Sequence, residues 1–484
     1  MSAATTIGWA SRDITPDRPV SLRGLFNLRI ATRVRDPLTL TALAIESGDE
    51  QTVFVSMDAC AVNEEVLEAV REALRERLPE FDPDRLIASA THTHTAPFSG
   101  GGVGLQNEED YLEEILAKYP DYMTIAEYTE LVVEAMVSAV CEAWQSRSAG
   151  SLGWGYSYAV VGENRRVRYF DGRSQMYGST SAPDFSHIEG HVDHSVNLLF
   201  TWDTDGNLTG MIVNVACPSQ ANEGGQDYIS ADYWHDVREE IRRRHGEGVF
   251  VLAQCSAAGD QTPHRLIGTR AEERMLKLKY DDTLNKSDNR GLRLDIARRV
   301  ADAVDDAEPP ARRDRRESVT LRHRLLRLDL PHWDVTDEQY EAVQQQMAEH
   351  RERLEELGDA DRLSKEYTSL RSRIGWCMRA ADRYEEPLES VPVEVGVVRI
   401  DDVAFVTAPF EYYLDFGDRI KGRSEAVQTF VVQLAGGGSY LATERAASGS
   451  SYGAVPSSCR VSPEGGEVIV DEAVTTISEM FAGR

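Results

Sequence analysis

Lysine is scarce in this chain: six of 484 residues, against 46 arginines. Acidic residues number 81 and leave a formal charge of −29. A surface of that sign repels phosphate, which excludes nucleic acid and an anionic membrane face as partners. Long apolar runs are missing too, and no stretch approaches the roughly 20 residues that a membrane span needs. Cysteine is sparse: Cys60, Cys141, Cys217, Cys255, Cys377 and Cys459 are far apart, with no C-x-x-C pair. This excludes a disulfide framework and suits a reducing cytoplasm. The opening MSAATTIGWASRDITPDRP lacks a basic segment followed by an apolar one, so the expectation is a cytoplasmic protein without a secretory signal. No internal repeat or low-complexity tract is present. What remains is 41% hydrophobic residues, with aromatics along the whole length, enough for one large core or two ordinary ones.

The first 110 residues alternate strand and helix patterns. Thr52–Met57 is a β-rich run, and Glu64–Leu78 places Val66, Leu67, Val70, Leu74 and Leu78 at helical spacing. Arg85–Ala90 reads as a second buried strand running into Thr91-His92-Thr93-His94-Thr95. Further on, the spacing predicts a strand at Gly210–Ala216, a polar loop at Pro218–Gln226, a helix over Ile229–Arg244 and a strand at Gly248–Gln254. Loops that follow such strands are where ligands sit in α/β proteins. Pro309-Pro310 reads as a break that could mark a domain boundary. Beyond it, two helices are expected at Thr336–Gly358 and Ser364–Tyr384, the first with Thr336 and Gln339 as a capping box and Gly358 as its stop. They read as an antiparallel pair inserted beside the sheet, within residues 312–390. Strand texture returns after Pro392.

Three constellations carry chemistry. His92 and His94 lie at the rim beyond a strand, where one could bind a metal while the other orients a substrate. Gly259-Asp260-Gln261-Thr262-Pro263-His264 holds a hydroxyl beside an acid on a constrained turn, equally a nucleophile's setting or a turn whose acid bonds backbone amides. The third comprises Ala408-Pro409-Phe410-Glu411, then Gly436 to Thr443, then Tyr452.

In this order the pieces resemble the catalytic domain of the neutral/alkaline (non-lysosomal) ceramidases. The likeness runs through Ile7–Pro16 (IGWASRDITP), Phe54–Asp58 (FVSMD), Ala88–His94 (ASATHTH), Ile229–Tyr233 (ISADY), Gly259–Pro263 (GDQTP) and Tyr440–Thr443 (YLAT), with Tyr452 twelve residues after Tyr440. It covers about 350 residues. The resemblance implies an α/β fold, with mixed sheets flanked by helices, as a single catalytic domain over 1–484. It further implies a zinc-dependent hydrolase of an amide bond, an N-acyl amidohydrolase of lipid metabolism. Carried over, the metal ligands are His92, Glu411 and Tyr440. His94 and Tyr452 line the reacting carbonyl, Thr262 takes the place of the family's serine beside Asp260, and Arg165 and the backbone at Gly24 contact substrate.

The chain departs from that pattern in three ways. Where the family has its second zinc histidine, this chain reads Cys217-Pro218-Ser219-Gln220. The expected fourth ligand is Cys217 as a thiolate, with ordinary core as its other reading, His235 and His264 as substitutes, and loss of the metal as the remaining alternative. The family's C-terminal immunoglobulin-like domain is not expected. An acidic chain without a basic amphipathic helix is also a poor visitor to a bilayer. A soluble polar small molecule, N-acylated or a glycosidic sugar, is therefore the alternative substrate. For the sugar, Glu223 with Asp232 or Asp260 would supply the carboxylate pair. A metal-free binding homologue is the reading from another class. Oligomerisation is left open.

Overall fold

The computed structural model describes residues 4–482 apart from 101–107, 223–224, 281–287, 360 and 438. Two sheets face each other. The larger has eight strands in the order Phe250–Cys255, Leu208–Val215, Ser195–Asp203, Ser148–Tyr158, Thr6–Asp13, Thr39–Ser47, Glu50–Met57 and Leu86–Ala90; the smaller has four, Leu321–Pro331, Ser390–Ile400, Val403–Thr407 and Gln428–Val432. Between them lies a core of Ile7, Leu43, Phe54, Ile212 and Leu252 from one sheet against Val398, Ile400, Phe405 and Phe430 from the other. Helices cover both outer faces. Glu64–Arg77 and Ile125–Gln145 pack on one half of the large sheet, Tyr233–His245 and Arg290–Arg313 on the other, and Leu414–Arg423 with Pro463–Phe481 on the small sheet. Strands covered on both faces must be apolar throughout, which is why Thr39–Ser47 and Leu86–Ala90 read as continuous hydrophobic runs.

Within these two sheets three strand pairs are parallel: Glu50–Met57 with Leu86–Ala90, Leu208–Val215 with Phe250–Cys255, and Val403–Thr407 with Gln428–Val432. Each is joined through a crossover helix (Glu64–Arg77, Tyr233–His245 and Leu414–Arg423 respectively), because parallel neighbours need a long connection. The carboxyl ends of all three units meet at one edge of the sandwich and are tied there by backbone hydrogen bonds. Ser219 N–H donates to Thr91 O at 3.0 Å, Gln433 N–H to Cys255 O at 3.0 Å, Ala90 N–H to Leu434 O at 3.3 Å and Gly259 N–H to Tyr412 O at 2.9 Å.

Local expectations meet three corrections. Pro309 and Pro310 make no break: both lie inside the helix Arg290–Arg313, near its end, where the helix is held by Glu308 bonding Trp202 and Arg312. The helix expected from Ile229 starts at Tyr233, since Tyr228–Ile229 pairs with Arg33–Val34 and Asp232 caps the helix. The first part of the segment 312–390, expected to hold the helical insertion, is the end of a helix and then the strand Leu321–Pro331. The capping box at Thr336 and Gln339 is present, and Gly358 ends that helix. Its partner spans Lys365–Glu385, and the pair sits between two adjacent, hydrogen-bonded strands. It has a small core of its own (Val343, Met347, Ile374, Cys377) and packs through Leu363 and Tyr367 on Tyr111, Ile115 and Tyr122.

Candidate functional site

The Thr-His-Thr-His segment is anchored from below. Asp58, at the exit of Glu50–Met57, is fully buried and accepts both guanidinium nitrogens of Arg238, at 2.7 and 3.0 Å, together with Thr91 Oγ1 at 3.2 Å and Thr39 N–H at 2.8 Å. Thr93 and Thr95 both donate to Ser230 O, at 2.9 and 2.8 Å. Asp232 then accepts the amides of Ala221, Asn222 and Tyr233 and so shapes the loop after Leu208–Val215. His92, Tyr177, Asp232 and Leu434 all hold positive φ (66°, 54°, 58° and 57°), a strained backbone for residues with a side chain. Such strain persists only where surrounding bonds over-determine it.

His92 is buried. Its Nδ1 lies 2.6 Å from Cys60 O and its Nε2 lies 3.4 Å from Glu411 Oε2. A backbone carbonyl on one ring nitrogen sets the tautomer and leaves the other nitrogen as a ligand, the usual support for a metal-binding histidine. Glu411 and Tyr440 are brought together because their short strands pair in register, Glu411 opposite Tyr440. Arg165 reaches the same point: its Nη2 donates to Glu411 Oε2 at 3.3 Å, to Tyr440 OH at 3.2 Å and to Gly259 O at 3.0 Å. Burial opposes charge on His92 but is outweighed by Glu411 and Cys60, so its pKa is raised. Burial likewise works against the Glu411 carboxylate, yet His92 and Arg165 hold its pKa below the usual range. His94 moves the other way: burial, then His92, Arg29 and Arg165, push it well down, leaving a neutral ring. Tyr440 is pushed well up, first by burial and then by Glu411.

The remaining expected residues surround this point. Thr262 Oγ1 accepts from Tyr177 OH and from His264 N–H, both at 3.2 Å, while Tyr177 also meets Arg165. Tyr452 packs edge-on against Tyr440, ring centroids 5.5 Å apart, and against Phe26 and Trp376 at 5.6 and 6.0 Å. It is 37% exposed, and its pKa is raised, first by burial and then by Glu411. Gly24, at φ 110°, lies flat on the His94 ring, where a Cβ would come within 2.4 Å of Cγ. Asp260 serves the scaffold: its oxygens accept Asn164 Nδ2 at 2.7 Å and Leu414 N–H at 3.1 Å, and its carbonyl accepts Arg165 N–H.

Cys217 does not join the group. Its thiol faces Val161 O and Pro218 O, and burial raises its pKa well above the ordinary value, so it stays protonated. His235 lies on the helix Tyr233–His245, near Asp36, and His264 Nε2 bonds Gln220 O at 3.0 Å. Of the proposed sugar-cleaving carboxylates, Asp232 and Asp260 are engaged as above, and Glu223 lies outside the described residues. Sequence reasoning assigned no role to Cys60, Tyr177, Phe26 or Trp376, and took Gln220 only as part of a polar loop. Cys60 Sγ lies 3.8 Å from His92 Nδ1, and Cys60, His92 and His94 bring donor atoms within 4.8 Å of one another. Gln220 bridges Arg165 and His94. No pattern at residues 60, 220 or 376 announces these contacts, which long-range folding alone creates.

The donor set fits zinc. Two ligands of a tetrahedral ion at 2.0–2.1 Å stand about 3.4 Å apart, the separation of His92 Nε2 from Glu411 Oε2. Imidazole and carboxylate are ordinary ligands of that metal, and three protein ligands with a fourth place left open would make a catalytic rather than a structural set. Use of Cys60 would instead require His92 Nδ1 to leave the Cys60 carbonyl.

No family model and no curated protein matches the sequence. Solved structures do. The neutral ceramidase from Pseudomonas aeruginosa aligns at 17% identity over 99% of this chain and 75% of its own, with a TM-score of 0.67. A ceramidase complexed with C2 aligns at 16% over 99% and 76%, with a TM-score of 0.68. Over nearly its whole length, then, this chain has the fold of the neutral ceramidases.

Proposed function

We propose that the protein is a zinc-dependent hydrolase of an amide bond in an N-acyl compound, with His92, Glu411 and Tyr440 as its protein ligands. The observation that carries this reading is the convergence of His92 Nε2 and Glu411 Oε2 at 3.4 Å, with the other face of His92 tied to Cys60 O. It agrees with the ceramidase fold. A zinc ion at this point supplies a nucleophile at neutral pH and polarises an acyl carbonyl. The chain's residues do the rest. Arg165 places fixed positive charge beside Glu411 and Tyr440, where negative charge gathers on a tetrahedral acyl centre. Thr262 has both lone pairs occupied by donors, so its proton is free to hold a substrate oxygen. Tyr452, Phe26 and Trp376 form an aromatic wall that excludes water on one side.

The substrate is a small molecule. A soluble polar N-acyl compound is the second reading, favoured by the polar lining of Arg165, Gln220, Tyr177 and Thr262 and by the −29 charge. Metal analysis of the purified protein tests the first claim: about one zinc per chain is expected, lost in Glu411→Gln and kept in Cys60→Ser. Zinc absent from the wild type after reconstitution refutes it, and retention in Glu411→Gln with loss in Cys60→Ser moves the site to Cys60, His92 and His94. Turnover of a fluorescent short-chain ceramide against soluble N-acyl sugars separates the two substrates.

A further inference from the structure

Gln220 belongs to the loop where a metal ligand is expected, yet its side chain does something else. It is buried at 1% exposure, with one end of the amide on Arg165 and the other on His94. Arg165 Nη1 can only donate, so the atom it meets at 3.2 Å must be the Gln220 carbonyl oxygen. That leaves the NH2 group against His94 Nε2 at 2.8 Å. An amide NH2 cannot accept, and therefore His94 Nε2 carries no proton and its ring proton sits on Nδ1. That nitrogen is buried and has no hydrogen-bond partner among the described residues. A buried donor without an acceptor costs free energy in the resting protein, which is recovered only when an acceptor arrives. Gly24 closes one face of the same ring, so the imidazole has little freedom to turn away.

We propose that Gln220 is a positioning residue that locks His94 as its Nδ1–H tautomer, through a bridge to Arg165, so that His94 serves the reaction as a hydrogen-bond donor and not as a base. The role in turnover rests on the hydrolase reading above; the tautomer does not. The amide thereby couples the arginine on Glu411 and Tyr440 to the histidine opposite. A carboxylate at 220 keeps the bond from Arg165 but accepts at both ends, which reverses the proton on His94. An apolar side chain removes both constraints.

The test uses full-length protein labelled with 15N-histidine, with the His94 signals assigned by their disappearance in His94→Gln. In the wild type, multiple-bond 1H–15N spectra are expected to show a protonated, pyrrole-type Nδ1 and a bare, pyridine-type Nε2 for His94. Gln220→Glu is expected to protonate Nε2, and Gln220→Leu to yield a mixture of tautomers, each read on protein whose remaining spectrum shows the native fold. With a turned-over substrate, Gln220→Glu is expected to lower kcat by on the order of 10²-fold while KM changes by less than about threefold. A wild-type ring protonated at Nε2 overturns the proposal, as does a Gln220→Glu protein whose tautomer and kcat are both unchanged. Absence of turnover in every variant, with the expected spectra, refutes the hydrolase reading and leaves the tautomer lock standing.

Discussion

At the scale of single residues, the site depends on buried charges that are fully paired. Asp58, at a strand exit, and Arg238, on the helix Tyr233–His245, are both almost without exposure and are joined by two short hydrogen bonds. Removing one member strands the other in the interior, which costs about 3–5 kcal/mol. Asp58→Ala is therefore expected to lower the free energy of unfolding by that amount in urea titrations, and to release Thr91, so that zinc content falls as well. Loss of under ~1 kcal/mol would show that Arg238 finds water or another acceptor. The motif FVSMD announces Asp58 in the sequence, but its partner Arg238 is 180 residues away and no local pattern marks it. Cys217 illustrates the opposite case: its position in the motif order suggested a ligand, and only packing turns the thiol to two carbonyls.

Among the secondary-structure elements, the helix Lys365–Glu385 contributes most that its sequence does not reveal. Its amphipathic pattern and its Ser364 cap are local, and they suffice to place it beside its partner. What the pattern omits is where the pair docks. Trp376 donates its indole N–H to Ser458 Oγ at 3.2 Å and stands 6.0 Å from the Tyr452 ring. Because it touches the aromatic wall and not the proposed metal ligands, Trp376→Ala is expected to raise KM about five- to tenfold for the preferred substrate. That is the effect of losing one aromatic contact of roughly 1–1.5 kcal/mol, with kcat within about twofold. Steady-state kinetics checks this, and an unchanged KM would place substrate away from the helical pair. The order of strands and helices, the capping box and the strand exits were legible from periodicity because these are local properties. The start of the helix at Tyr233 was not, because pairing of Tyr228–Ile229 with Arg33–Val34 is a tertiary event.

Across the whole molecule, the two sheets enclose a histidine that has to stay neutral. His323 lies on the inner face of the strand Leu321–Pro331, with no hydrogen-bond partner for either ring nitrogen among the described residues, and burial followed by the nearby Arg85 lowers its pKa to about 3 against a smaller opposing pull from the Gln51 backbone. Between pH 6.5 and 3 the unfolded chain binds a proton there that the folded chain refuses. Stability therefore falls as pH drops through that window, by on the order of 5 kcal/mol from this residue. His323→Leu, which presents no group to protonate, is expected to move the acid-unfolding midpoint to lower pH, read by circular dichroism. An unshifted midpoint would mean that the ring is hydrated in the folded state.

The amino-acid sequence alone determined the alternation of strands and helices, the acidic surface and the strand-exit position of His92 and His94. Each of these is carried by residue type and near-neighbour spacing. Only the tertiary structure decided that three parallel strand pairs end at one edge, that Arg165 and Gln220 stand between Glu411 and His94, and that Cys217 turns away. Those are contacts between segments tens to hundreds of residues apart. Their geometry is set by sheet order and packing, which no window along the chain contains.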